Sequence, residues 1–189
     1  MIELLISISV FAVIVAVVSG VFITSLRSNR TSLALISANS DGQLAMEQMT
    51  RMIRKGQNFT VEEVDANNDF TPDYNELKYK CLRFRYEYAG KFITYRWNKD
   101  GKKLEASIVD SDPLNCNGSG GNGTEVFNEI VSENLRVDFA NFRIVGQGGS
   151  FPLITIVLRV GAKNTLVTSG GQAFINLQTS VSPRNDDRY

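Results

Sequence analysis

Residues 65–76 read Asp65-Ala66-Asn67-Asn68-Asp69-Phe70-Thr71-Pro72-Asp73-Tyr74-Asn75-Glu76. Asp65, Asn67, Asp69, Asp73 and Glu76 stand at positions 1, 3, 5, 9 and 12 of this stretch. That is the spacing of a calcium loop, where alternating carboxylates and amides turn inward to give a hard cation its oxygens. Phe70 occupies position 6, where such a loop needs glycine, and the sequence after Glu76 reads as strand. The stretch is therefore a candidate calcium-stabilised loop between helix and sheet, with a solvated acidic turn as the plain alternative. Two cysteines, Cys81 and Cys116, form either a disulfide, if the domain that carries them lies outside the cytoplasm, or two separate buried thiols. One carboxylate, Glu3, opens an otherwise apolar segment.

The composition removes several chemistries. There is no histidine, and with it go the commonest general base and the commonest metal ligand. Ser-His-Asp and Cys-His hydrolase centres and His-ligated zinc sites are excluded, and no convergent catalytic motif stands in their place. Gly146-Gln147-Gly148-Gly149 follows a strand pattern, but no helix and no lysine follow as a phosphate loop requires, so it reads as a hairpin turn. Lys78, Lys80, Arg83, Arg85, Lys91 and Arg96, interleaved with Tyr and Trp, offer either a nucleic-acid surface or an ordinary solvated sheet face. The balance of 20 basic and 20 acidic residues favours the second.

These residues hang from a long N-terminal element. Leu4 to Leu26 is a run of 23 residues without a charge, rich in Ile, Val, Leu, Phe and Ala. Roughly 20 apolar residues cross a bilayer as a helix, whereas the apolar core of a secretory signal is only about 7–15. A retained anchor is the better reading. Within it Glu3 stands out, because a carboxylate at bilayer depth costs roughly 2.5–3.5 kcal/mol on insertion scales and so implies a role.

The opening Met1-Ile2-Glu3-Leu4-Leu5-Ile6-Ser7-Ile8 resembles the start of the type IV prepilin cleavage and methylation motif, in which a mature chain begins Phe-Thr-Leu-Ile-Glu-Leu after a leader ending in glycine. Met1 stands where the family has its third mature residue, so the missing two residues and a basic leader are expected upstream. Gln43 to Arg54 also resembles, more loosely, the matching stretch of larger minor pilins and type II secretion minor pseudopilins. Leu177 to Asn185 resembles the closing strand of many prepilin-like proteins, without the C-terminal cysteine pair of many major pilins. By resemblance, Glu3 attracts the N-terminal amine of a neighbouring subunit, and the pairing sets the axial register between helices. Arg27 and Arg30 follow the anchor with no Lys or Arg before it, which on the positive-inside rule alone would place the head in the cytoplasm. The family's basic leader and the cysteine pair place it outside instead.

Beyond the anchor the helix is expected to run on to Lys55. Ala38, Gly42, Ala45, Met49, Met52 and Ile53 recur at helical spacing and mark a buried stripe. Gly20 and Gly42 are expected soft points, and Gly56 the stop. Period-two patterns then appear at Leu77–Tyr88, with a phase slip near Leu82 that suggests a bulge, and at Phe92–Asn98, Leu135–Val145, Leu153–Val160 and Phe174–Val181. Residues 125–132 read as a short helix or strand. The expected class is α+β: residues 1–26 as the membrane or filament-core half of a helix, 27–55 as its amphipathic half, and 56–189 as an antiparallel β-sheet head.

The resemblance implies a non-enzymatic structural subunit of a type IV-type filament. Its implied partners are copies of itself, related pilin subunits, the inner-membrane assembly machinery and a prepilin peptidase. It would be a single-pass membrane protein before assembly and part of a cell-surface or periplasmic filament after it. The alternative is a monomeric membrane-anchored binding module that never polymerises.

Overall fold

A computed structural model of the chain describes residues 2–65, 77–86, 90–110, 116, 126–146, 152–163 and 174–184. One helix, α1 (Ile2–Ile53), is followed by eight strands: β1 (Gly56–Asp65), β2 (Leu77–Tyr86), β3 (Lys91–Asn98), β4 (Lys103–Val109), β5 (Asn128–Glu129), β6 (Leu135–Val145), β7 (Leu153–Ala162) and β8 (Ile175–Val181). The architecture is α+β, a long N-terminal apolar helix packed on antiparallel β-structure. The strands form two sheets rather than the single sheet expected, one ordered β1-β2-β3-β4-β5 and the other β6-β7-β8.

The helix is continuous through Gly20 and Gly42, so neither is a break. At about 1.5 Å per residue it is roughly 78 Å long. Its hydroxyl side chains satisfy themselves inside the apolar half: Ser7, Ser9 and Thr24 donate to the carbonyls of Glu3, Ile6 and Gly20 at 2.8–2.9 Å. The buried side carries Ala38, Gly42, Ala45, Met46, Met49 and Ile53. It lies chiefly against β7 and β8. Gly42 lets the helix come close there: a Cβ at that position would lie 3.3 Å from Val160 Cγ2, a tight contact that a small shift of the side chain relieves.

The helix ends at Ile53 rather than Lys55, and Gly56 does not cap it. Gly56 instead opens β1, where a Cβ would fall 2.4 Å from Phe84 Cδ2 and 2.9 Å from Phe59 Cζ. The glycine lets two aromatic rings close over the backbone, and those rings stack with centroids 5.2 Å apart. The end of the helix is tied down by the far end of the chain, where Arg184 N donates to Arg54 O at 2.9 Å. That bond satisfies one of the carbonyls a helix terminus leaves open.

The bulge expected near Leu82 is absent, since β2 pairs with β3 in unbroken register from Tyr79↔Asn98 to Tyr86↔Lys91. The β1–β2 ladder is irregular at two other places: on β1 between Gln57 and Thr60, where Asn58 takes φ 54, and between Val64 and Asp65, where β2 steps from Tyr79 to Leu77. The phase slip has another cause. Cys81 and Leu82 are both buried although they point to opposite faces of β2, so neither face follows a simple alternation. Gly90, at φ 62, makes the turn into β3. Within the ambiguous stretch, the two residues Asn128–Glu129 form strand, β5.

The core lies between the inner faces of the two sheets and α1. Leu82, Phe84, Ile93, Tyr95, Trp97 and Leu104 of the first sheet meet Val137, Ala140 and Phe142 of β6 and the buried Ile154, Ile156, Leu158 and Val160 of β7. Each Val, Leu, Ile or Phe among them contributes about 1.5–3 kcal/mol when fully withdrawn from water. Two hydrogen bonds help fix how the sheets meet: Trp97 Nε1 donates to Val137 O at 3.1 Å, while Val137 N donates to Lys102 O at 2.9 Å.

Candidate assembly surface on the N-terminal helix

Residues 2–30 of α1 are exposed throughout, and the helix is long and apolar enough to cross a membrane. The 23 uncharged residues from Leu4 to Leu26 would rise about 35 Å, against a hydrocarbon core of about 30 Å. A single-pass anchor fits this geometry. Glu3 sits in its first turn, exposed, with Ser7 bonded to its carbonyl.

The apolar surface does not stop where the anchor stops. Leu33, Ile36 and Leu44 are 60%, 65% and 56% exposed. Leu33 and Gly42 are nine residues apart, about two and a half turns, so they face opposite ways. The stretch of helix beside the head thus has two apolar sides, one covered by the sheets and one bare. Sequence patterning located the covered side and missed the bare one. The spacings 26, 33, 36 and 44 carry the signal, but Arg27, Arg30 and Glu47 interrupt it. Along the free half, Ala16, Val17, Gly20, Val21, Thr24, Ser25 and Ser28 line a shallow groove.

The head gathers a second cluster, on the outer face of the first sheet. Cys81 and Cys116 are joined as a disulfide with Cα atoms 6.1 Å apart. Arg96, directly across from Cys81, donates from Nε and Nη2 to Glu105 Oε2 at 2.9 and 2.6 Å and from Nη1 to Cys116 O at 3.4 Å. Its guanidinium lies 3.5 Å from the centroid of Phe127. Arg83 pairs with Glu62, Lys80 with Glu63, Lys103 with Glu129 and Lys91 with Asp110. Glu129 holds the Lys103 ammonium above its usual pKa, first through their 2.8 Å hydrogen bond and then through its charge. Four of the six basic residues weighed for nucleic acid, Lys80, Arg83, Lys91 and Arg96, are therefore paired with carboxylates. Arg83 and Arg96 are neutralised on the outer face, while Lys80 and Lys91 stand in phase with the buried Trp97 and Ile93 on the other.

Of the candidate calcium ligands, Asp65 closes β1, while Asn67, Asp69, Asp73 and Glu76 lie outside the described residues. Among the described residues no group of three His, Cys, Asp or Glu side chains gathers as a metal site. Gly146, at φ 92, leaves β6 towards β7; Gln147, Gly148 and Gly149 lie outside the described residues, and the strands on either side are antiparallel neighbours.

No protein-family model, curated protein or solved structure matches the chain.

Proposed function

We propose that this chain is a structural subunit of a type IV-type filament: a pilin, minor pilin or pseudopilin, held in a membrane by residues 4–26 and then packed helix to helix. The observation that carries this reading is the bare apolar side of α1 at Leu33, Ile36 and Leu44, which lies beyond the span needed for anchoring and opposite the head. A monomeric tether has no use for it. Exposed apolar surface that continues from a membrane segment onto the soluble part of the same helix suits a helix that exchanges lipid for protein neighbours. The opening Met1–Ile8 sequence supports the same reading by its resemblance to the prepilin motif.

In this role no bond is made or broken by the chain. The head faces solvent outside the cytoplasm, and its disulfide suits an oxidising compartment. The partners are further copies or related subunits, with a prepilin peptidase and an inner-membrane assembly machine upstream, as the resemblance implies. Glu3 sets register through the amine of a neighbour.

The test expresses the chain from its own gene in a cell that builds such filaments. Sheared filaments are probed for the chain and for Glu3→Ala. The expected result is wild-type chain in the filament fraction, and Glu3→Ala inserted normally in the membrane but missing from filaments. Wild-type chain that stays in the membrane fraction while filaments are made would favour the monomeric tether.

A further inference from the structure

The two sheets turn different chemistry outward. On the first, Arg83 and Arg96 are neutralised by Glu62 and Glu105. On the second, Ile154, Ile156, Leu158 and Val160 of β7 are buried in the core, so the alternate residues Thr155, Val157 and Arg159 face away from it. The register carries this outer face across the sheet. Arg143, Thr155 and Ser180 stand in one row, Asn141, Val157 and Gln178 in the next, and Phe139, Arg159 and Asn176 in a third. Val160 and Leu177, beside which Gly42 packs, belong to the inner set, so the outer face is also turned away from α1.

The charge on this face has one sign. Asp138 is the one acidic residue in β6, β7 and β8, and it is already shared by Arg136 and Lys102. Arg143 and Arg159 are exposed, and neither has a carboxylate partner among the described residues. Arg143 lies level with Thr155, four residues from Arg159 along β7, which is about 13 Å at the rise of a strand. The exposed Lys163 follows at the same interval, just past the end of β7. Cations spaced in this way do not converge on one small anion; they fit an extended one.

We infer that the outer face of β6, β7 and β8 binds an extended acidic polysaccharide, with Arg143 and Arg159 on its carboxylates and Asn141, Asn176 and Gln178 on its hydroxyls. A guanidinium offers a carboxylate two parallel donors, and an amide side chain both donates and accepts, as a sugar hydroxyl does. A single-stranded nucleic acid would need free aromatic rings on which to stack its bases. The two rings at this face are engaged: Phe139 packs edge-on against Trp97, and Phe174 lies under Arg159, whose guanidinium carbon is 4.4 Å from the ring centroid. A single anchored chain presents the same face, so the binding does not require the filament.

The test is binding of the purified full-length chain, in neutral detergent micelles, to immobilised polygalacturonate, with dextran as the uncharged comparison and poly(dT) as the nucleic-acid one. The chain should bind polygalacturonate, more weakly as salt rises, and should not bind dextran. Arg143→Gln and Arg159→Gln should each weaken binding by up to about fivefold, the weight of an exposed ion pair, and together by the product, since the two sites are well separated. Both side chains are exposed, so the thermal midpoint of the double variant should match the wild type. Asn176→Ala/Gln178→Ala should also weaken binding to polygalacturonate. No binding to polygalacturonate, or equal binding by the double arginine variant, would overturn the assignment. Tighter binding to poly(dT) than to polygalacturonate would overturn the sugar polymer as the ligand.

Discussion

A Cβ built on Gly42 of the helix would lie 2.7 Å from Leu177 Cδ1 of β8, so the helix and the second sheet meet with almost no gap. The consequence is a size limit at position 42. Gly42→Ala should cost little, because helix propensity favours alanine by about 1 kcal/mol and the end of Leu177 can move. Gly42→Val also presses on Val160 and should lose about 1–3 kcal/mol, as overpacked cores do. Urea denaturation of the two variants checks this; a valine variant as stable as the alanine variant would mean that the helix stands off the sheet.

The disulfide closes a loop with a sequence separation of 35. Cross-linking a loop of that length withholds about 4 kcal/mol of chain entropy from the unfolded state. Cys81→Ser/Cys116→Ser should therefore lower stability by a few kcal/mol, and reductant should do the same to the wild type while leaving the variant unaffected. The measurement is the denaturation midpoint with and without reductant.

Arg96 and Glu105 form a half-buried pair, with side chains only 11% and 13% exposed. Removing one partner strands the other charge, which costs about 3–5 kcal/mol for buried pairs, whereas replacing both with apolar groups is often near neutral. Arg96→Met should thus be worse than Arg96→Met/Glu105→Leu. Thermal unfolding of the single and double variants decides it, and a double variant that is less stable than the single would contradict the account.

Burial pushes the Tyr95 phenol well above its ordinary value of 10.0. Above about pH 10 the unfolded chain gives up this proton while the folded chain keeps it. The folded state then binds more protons, so stability falls as pH rises from the unfolded value towards the folded one, by up to about 1.4 kcal/mol per unit from this group. Tyr95→Phe should remove that part of the alkaline slope. Denaturation of both proteins between pH 8 and about 11 tests it, with equal slopes counting against the burial argument.

The sequence alone determined the elements whose signal is local. Leu4–Leu26 is uncharged over a bilayer's thickness, and Ala38, Gly42, Ala45, Met49 and Ile53 repeat at helical spacing. Ile93, Tyr95 and Trp97 alternate along a strand, and all three are buried on one face. Periodicity of this kind is fixed by backbone geometry and needs no partner to be read. The α+β class follows from it. What needed the tertiary structure was every relationship between distant segments. β1, where Glu62 and Glu63 interrupt any alternation, becomes a strand because Arg83 and Lys80 across the ladder neutralise those charges. β4 likewise emerges only through its pairing with β3. The division into two sheets, the joining of Cys81 to Cys116 and the placing of an irregularity at Asn58 are set by pairing and packing across the chain. The bare ridge at Leu33, Ile36 and Leu44 belongs to the same class. Composition shows that these residues are apolar, but only the position of the sheets decides which side of the helix they leave uncovered.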